Sequence, residues 1–153
     1  TIYVLPTEDE WYKAAYLKSD GSAYTLYATG DTAPTAGVEA NYSTGTSPWD
    51  VSSGAIENNG TYDMGGNVWE WNESAFDGSL DTLSENRVLR GGAWNVNSNG
   101  VKSSMRSSTN PITTSNLNGF RVASITSIAV PEPSSTSLII LGSITCLLRR
   151  HRD

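Results

Sequence analysis

Residues 62–71, Tyr-Asp-Met-Gly-Gly-Asn-Val-Trp-Glu-Trp, put two carboxylates, two adjacent glycines and two tryptophans into ten positions. Gly65 and Gly66 free the backbone for positive φ and for close approach to a neighbour, while Asp63 and Glu70 bring hard oxygen to both ends of the bend. A wrapped loop is predicted, since neither a helix nor a plain strand favours this mixture. Two chemistries are open to it: cation binding through carboxylate oxygen, or general acid–base work by a cluster of Glu70, Glu73 and Asp77. A solvated acidic loop is the plainer alternative. Asn41-Tyr42 and Trp49-Asp50 also stand out, because each joins an oxygen donor type to a ring that can anchor a loop.

Other chemistry is ruled out by composition. The single cysteine, Cys146, and the single histidine, His151, both lie in the C-terminal tail. No Ser-His-Asp triad, Cys-His pair, zinc site or disulfide can therefore be assembled within residues 1–130. Those residues carry seven basic against fourteen acidic side chains, a formal charge of −7, so nucleic acid is not an expected partner. An acidic surface suits cations and suits ordinary solubility equally well.

The positioning elements can be read in outline. With 153 residues, five Trp and seven Tyr the chain can build one core, and fourteen Gly with six Pro predict a loop-rich fold rather than a helical bundle. Ile2-Tyr3-Val4-Leu5 reads as a strand. Pro6-Thr7-Glu8-Asp9-Glu10 reads as a helix start with a capping box, and a helix is predicted over about 8–18 with Trp11, Ala14, Ala15 and Leu17 on its inner face. Residues 20–60 are turn-rich. Arg87-Val88-Leu89-Arg90 alternates as a strand before Gly91-Gly92, and Gly119-Phe120-Arg121-Val122-Ala123 is predicted as the last strand, with Phe120 and Val122 on one face. Trp69 and Trp71 are expected to pack, one in the core and one against a neighbouring loop. Structural ion pairs are expected for Arg90, Arg106 and Arg121.

The composition changes after Ser124. Val130-Pro131-Glu132-Pro133 leads into an apolar run ending at Leu148 and then Arg149-Arg150-His151-Arg152. Counted from Ser134 the run would make roughly 22 Å of helix against the ~30 Å of a hydrocarbon core, so a short membrane helix over 134–148 with its basic end in the cytoplasm is expected, with a buried C-terminal helix as the alternative. The chain opens at Thr1 directly into a strand, so an upstream portion that could hold a signal peptide is expected.

Four separated segments, Leu5-Pro6-Thr7-Glu8-Asp9-Glu10-Trp11, Gly65-Gly66-Asn67-Val68-Trp69-Glu70-Trp71, Arg90-Gly91-Gly92-Ala93-Trp94 and Gly119-Phe120-Arg121-Val122-Ala123, resemble the formylglycine-generating enzyme (sulfatase-modifying factor) family in kind and order. The resemblance implies an α+β, loop-rich, C-type-lectin-like domain over 1–124 that lacks its N-terminal part, and it implies structural calcium. The implied ligands are the Asp63 side chain, the Gly66 and Val68 carbonyls and the Glu70 side chain. A second calcium is implied at the Asn41 side chain, Tyr42 carbonyl, Asp50 side chain and Ser52 carbonyl. The tail resembles a PEP-CTERM sorting signal, with Pro131, Glu132 and Pro133 as the motif, 125–133 as linker and 134–153 as membrane helix and arginine cluster. That resemblance implies export in a Gram-negative bacterium, tethering to the inner membrane, processing by an exosortase-type enzyme, and a cell-surface or extracellular end point.

One departure bears on activity. Formylglycine-generating enzymes carry two copper-binding cysteines between the Arg-Gly-Gly and Gly-Phe-Arg motifs, and the matching positions here look like Val96 and Val101. No copper is therefore expected, and without histidine the iron chemistry of a sister branch is not expected either. The resulting expectation is a non-catalytic, calcium-stabilised binding or structural module whose ligand is a cell-surface polysaccharide or protein. The alternative is a family enzyme whose active centre lies in an upstream portion.

Overall fold

Helix α1 (Glu8–Tyr16) begins where its capping box dictates. In the computed structural model, which describes residues 1–79 and 82–125, the Thr7 side chain accepts from the Glu10 N–H and the Glu10 carboxylate accepts from the Thr7 N–H. Glu8, Asp9 and Glu10 crowd the positive end of the helix dipole. Trp11, Ala15 and Tyr16 are buried, with Tyr12 packed against them. The inner face therefore passes through 11, 15 and 16, while Ala14, predicted inside, is exposed. The helix also ends earlier than predicted. The Tyr16 carbonyl accepts from the Thr25 N–H and hydroxyl, and Leu17 turns extended, with ψ 130, to bridge Tyr24.

The strands are β1 (Ile2–Val4), β2 (Trp69–Ala75), β3 (Arg87–Arg90), β4 (Ser107–Thr109), β5 (Asn118–Gly119) and β6 (Ala123–Ile125). β1 pairs with β6, and the larger sheet has the order β4-β3-β2-β5. β2 runs antiparallel to β3, with Glu70 opposite Arg90 and Trp71 opposite Leu89, and parallel to β5, with Glu70 opposite Gly119. The predicted wrapped loop is thus a loop only as far as Val68; from Trp69 onward it is the strand to which both β3 and β5 bond. The predicted last strand over 119–123 is split between β5 and β6, and Phe120 and Val122 between them are exposed. β4 arises in the Asn- and Ser-rich stretch, where no apolar alternation marks a strand.

Two apolar clusters hold residues 2–124 as one unit. One joins Trp11, Ala15, Tyr16, Ala28 and Met64; the other joins Tyr27, Ala40, Tyr42 and Val101, with Val96 packed against it. Residues 20–60 contribute isolated bridges and turns but no strand. Among the described residues, no helix is long and apolar enough to cross a membrane. The Pro131-Glu132-Pro133 motif and the helix expected over 134–148 lie outside the described residues.

Candidate functional site

The bend before β2 is fixed from three sides. Gly66 sits at φ 97, where an added Cβ would lie 2.6 Å from the Asn41 carbonyl oxygen, so no larger residue fits without a backbone shift. Its N–H donates to the Gly91 carbonyl at 2.8 Å, and the Asn67 N–H donates to the Asn41 carbonyl at 2.7 Å. The Asn67 side-chain oxygen accepts from the Trp49 N–H at 2.7 Å and from the Asn41 amide at 3.1 Å, while its own amide donates to the Trp49 carbonyl. One asparagine thereby ties together three segments of backbone.

Glu57 holds the start of the bend. Its Oε1 accepts from the N–H groups of Met64 (2.9 Å) and Gly65 (3.1 Å), and its Oε2 accepts from the Thr61 hydroxyl (3.0 Å). Burial pushes the Glu57 carboxyl up to about 7, against these hydrogen bonds and the charge of Arg121, which act in the other direction.

Glu70 holds the end of the bend and is 6% exposed. Its Oε2 accepts from the Trp11 indole Nε1 and from Arg121 Nε, both at 2.5 Å, and its Oε1 accepts from Arg121 Nη2 at 2.6 Å. The same Nη2 reaches the Tyr62 carbonyl at 3.2 Å. Burial works against the Arg121 charge, but the hydrogen bonds and proximity to Glu70 outweigh it and raise the guanidinium pKa above its ordinary value, with Glu57 and Asp63 adding to the effect. Arg90 is anchored comparably, by Glu8 at 3.0 Å and the Ser103 carbonyl at 3.0 Å, and it lies over the Tyr12 ring at 5.0 Å. Arg106 also pairs with Glu8, at 2.7 Å. All three expected arginine pairs are present, and Arg90 and Arg121 are the more enclosed.

The residues expected to hold calcium are brought into one bend, and the two side chains among them, Asp63 and Glu70, already have hydrogen-bond partners. A carboxylate offers about four acceptor positions, and three of those on Glu70 are filled by N–H groups. Asp63, at φ 57, accepts through Oδ2 from the Ser52 N–H at 2.7 Å. In the second expected set, the Asn41 side-chain oxygen accepts from the Thr44 hydroxyl at 2.8 Å and Asp50 is exposed. The Tyr42 hydroxyl, meanwhile, turns to the Pro34 carbonyl. Ser52, expected in the second set, meets Asp63 of the first. Among the described residues, no group of three or more Asp, Glu, His or Cys side chains could hold a metal. As arranged, Glu70 keeps about one acceptor position open, whereas calcium takes six to eight oxygens.

The acidic cluster of Glu70, Glu73 and Asp77 does not form. Glu70 is buried, Glu73 is exposed, and Asp77 lies beyond β2 in a turn where it accepts from the Ser79 N–H. The tryptophans are placed differently from expectation as well. A strand repeats every two residues, so Trp69 and Trp71 share a face and both are half-buried, while the polar Glu70 and Asn72 occupy the inner positions. Sequence reasoning did not single out Glu57 or Asn67, and treated Trp11 as an apolar residue without using its indole N–H. Asn67 carried a signal, since it follows a glycine pair in a bend and φ 65 there suits asparagine.

Val96 and Val101, which the resemblance sets against the family's copper-binding cysteines, are hydrocarbon in a hydrocarbon setting. Val101 is 1% exposed between Tyr27, Ala40 and Tyr42, and Val96 packs against the same group.

Comparison with known proteins supports the family resemblance and the fold. The family model of the sulfatase-modifying factor enzyme 1-like domain (FGE-sulfatase) matches residues 1–125. A comparison with curated proteins gave no match. Among solved structures, Treponema denticola variable protein 1 superimposes with a TM-score of 0.65 at 26% identity, covering 78% of this chain and 46% of its own. CarF superimposes with 0.63 at 29% identity, again covering 78% and 46%. PvdO from Pseudomonas aeruginosa, with 0.56 at 22% identity over 78% and 51%, shares the fold. The chain spans about half the length of these structures. On the match of its first 125 residues, the chain belongs to the sulfatase-modifying factor enzyme 1-like domain family.

Proposed function

We propose that this chain is a non-catalytic member of its family, a binding or structural module rather than an oxidase. The supporting observation is the pair Val96 and Val101. The family's reaction needs two thiolates there, and the buried apolar cluster around Val101 offers no sulfur ligand. Residues 1–125 contain no Cys or His to take over the role. The test is incubation with a cysteine-containing sulfatase-type peptide, copper and oxygen. Mass spectrometry should find no aldehyde product, and formation of that product would end this reading.

The ligand surface in this reading comprises the loops over 20–60 and 95–118 and, separately, a cleft of about 400 Å³ lined by Leu5, Trp71, Asn72, Glu73, Leu83, Arg87 and Pro111. A half-buried indole with acid, amide and guanidinium groups around it suits the ring face and hydroxyls of a polysaccharide. Retention on immobilised polysaccharides that Trp71→Ala abolishes would support it. Capture only by protein ligands would point to the other partner class. Export, tethering through 134–148 and exosortase-type processing at Pro131-Glu132-Pro133 belong to the same proposal and rest on the tail sequence alone. Cell fractionation that finds the intact chain in the cytosol would overturn that part. The competing reading, a family enzyme with its centre upstream, predicts that a longer gene product forms the aldehyde where this domain does not.

A further inference from the structure

We propose that Arg121 takes the place of the cation in the bend before β2, so that this domain is stapled by a guanidinium and keeps its fold without calcium. The argument starts at Glu70, which is buried and touched by three groups, Trp11 Nε1, Arg121 Nε and Arg121 Nη2, each of them a donor at 2.5–2.6 Å. A calcium ion needs oxygen donors around it, and a carboxylate ringed by N–H groups presents positive hydrogen where the ion would sit. The guanidinium fork meets the carboxylate with two directed N–H···O bonds, and its third contact, with the Tyr62 carbonyl, uses an oxygen from the same bend.

The other two acids near Arg121 have partners of their own. Glu57 is met by two backbone N–H groups and a hydroxyl, and Asp63 by the Ser52 N–H. Both nonetheless act on Arg121 electrostatically, so one cation serves three carboxylates. Position also favours the residue over an ion. Arg121 follows β5, whose Gly119 lies opposite Glu70, so pairing of the strands delivers the guanidinium to the carboxylate. An added Cβ at Gly119 would come within 2.8 Å of the Val68 side chain, which makes glycine the residue that lets β5 lie this close to the bend.

The test is metal content and melting of the wild-type chain, followed by two variants. After dialysis against calcium buffer, elemental analysis should find no stoichiometric calcium, and excess calcium or chelator should move Tm by less than about 1 °C; a saturated site of sensor-type affinity would move it by several degrees. Arg121→Met should lower Tm by roughly 10 °C or more, and Arg121→Lys, which keeps the charge and loses the fork, by less. One calcium per chain that Glu70→Gln removes, or a Tm that falls on chelation, would overturn the proposal, as would an Arg121→Met variant melting with the wild type. The wild-type measurements decide the question even if Arg121→Met fails to fold.

Discussion

The bend at 57–70 and the stretch at 96–101 are two of the places where the family resemblance points to a metal site in the family, and in this chain they are filled in opposite ways. The bend is closed by charge, with Glu57 and Glu70 buried against N–H groups and Arg121. The second stretch is closed by hydrocarbon, with Val101 sealed between Tyr27, Ala40 and Tyr42. A polar site can exchange one cation for another and keep its shape, because carboxylates need a partner whatever its identity. A thiolate site that loses its thiolates has nothing polar left to satisfy, and packing takes over. On the proposed reading, one frame loses a reaction while keeping its fold.

Removing the guanidinium tests this contrast most severely. Arg121→Ala leaves Glu70 buried without its counter-charge and is expected to cost about 3–5 kcal/mol in chemical denaturation. A cost near zero would place the bend with ordinary surface loops.

The next effect is one of pH. The Glu57 carboxyl is raised to about 7 in the folded state, from an ordinary value near 4.5, so between these values the folded chain holds a proton that the unfolded chain has released. Stability should therefore fall as pH rises from about 4.5 through about 7, by up to about 3 kcal/mol. Glu57→Gln should flatten that part of the profile, and a profile that rises with pH and is unaltered by the substitution would contradict the assignment.

On the hydrocarbon side, Val101→Ala should cost about 2 kcal/mol through the cavity it leaves, with no dependence on salt or pH. A cost that varied with salt would mean that this stretch is not closed by packing. The smallest effect belongs to neither region and calibrates both: Thr7→Ala removes the α1 cap and should cost about 1 kcal/mol. If it equalled the Arg121 loss, the bend would have no special standing.

Legibility in the sequence followed the range of the interactions. The α1 cap was readable because Thr7 and Glu10 lie three residues apart, and β3 because Val88 and Leu89 carry its apolar content. The bend was recognisable as special from Gly65-Gly66 with its flanking acids. Its partners were not, since Trp11 and Arg121 reach Glu70 from 59 and 51 positions away and leave no local pattern. The inner face of α1 was misassigned by one position because the turn at Leu17 is set by Thr25 and Tyr24, outside the helix. β4 and β5 are short polar strands formed by pairing with neighbours already in place, and their own residues do not announce them.

The link from Trp11 through Glu70 to Arg121 also sets an order of events as the chain emerges from the ribosome. Trp11 and Glu70 are both made well before Arg121, so for the time needed to add the intervening residues, several seconds at roughly 5–20 residues per second, Glu70 has its indole donor but no counter-charge. Burying it in that interval would be unfavourable, and the bend must stay open to water until β5 arrives. The last stretch of the domain to be synthesised thus acts as the latch, and a nascent chain arrested before residue 121 would present the apolar surface around Met64 and Trp11 to whatever is nearby.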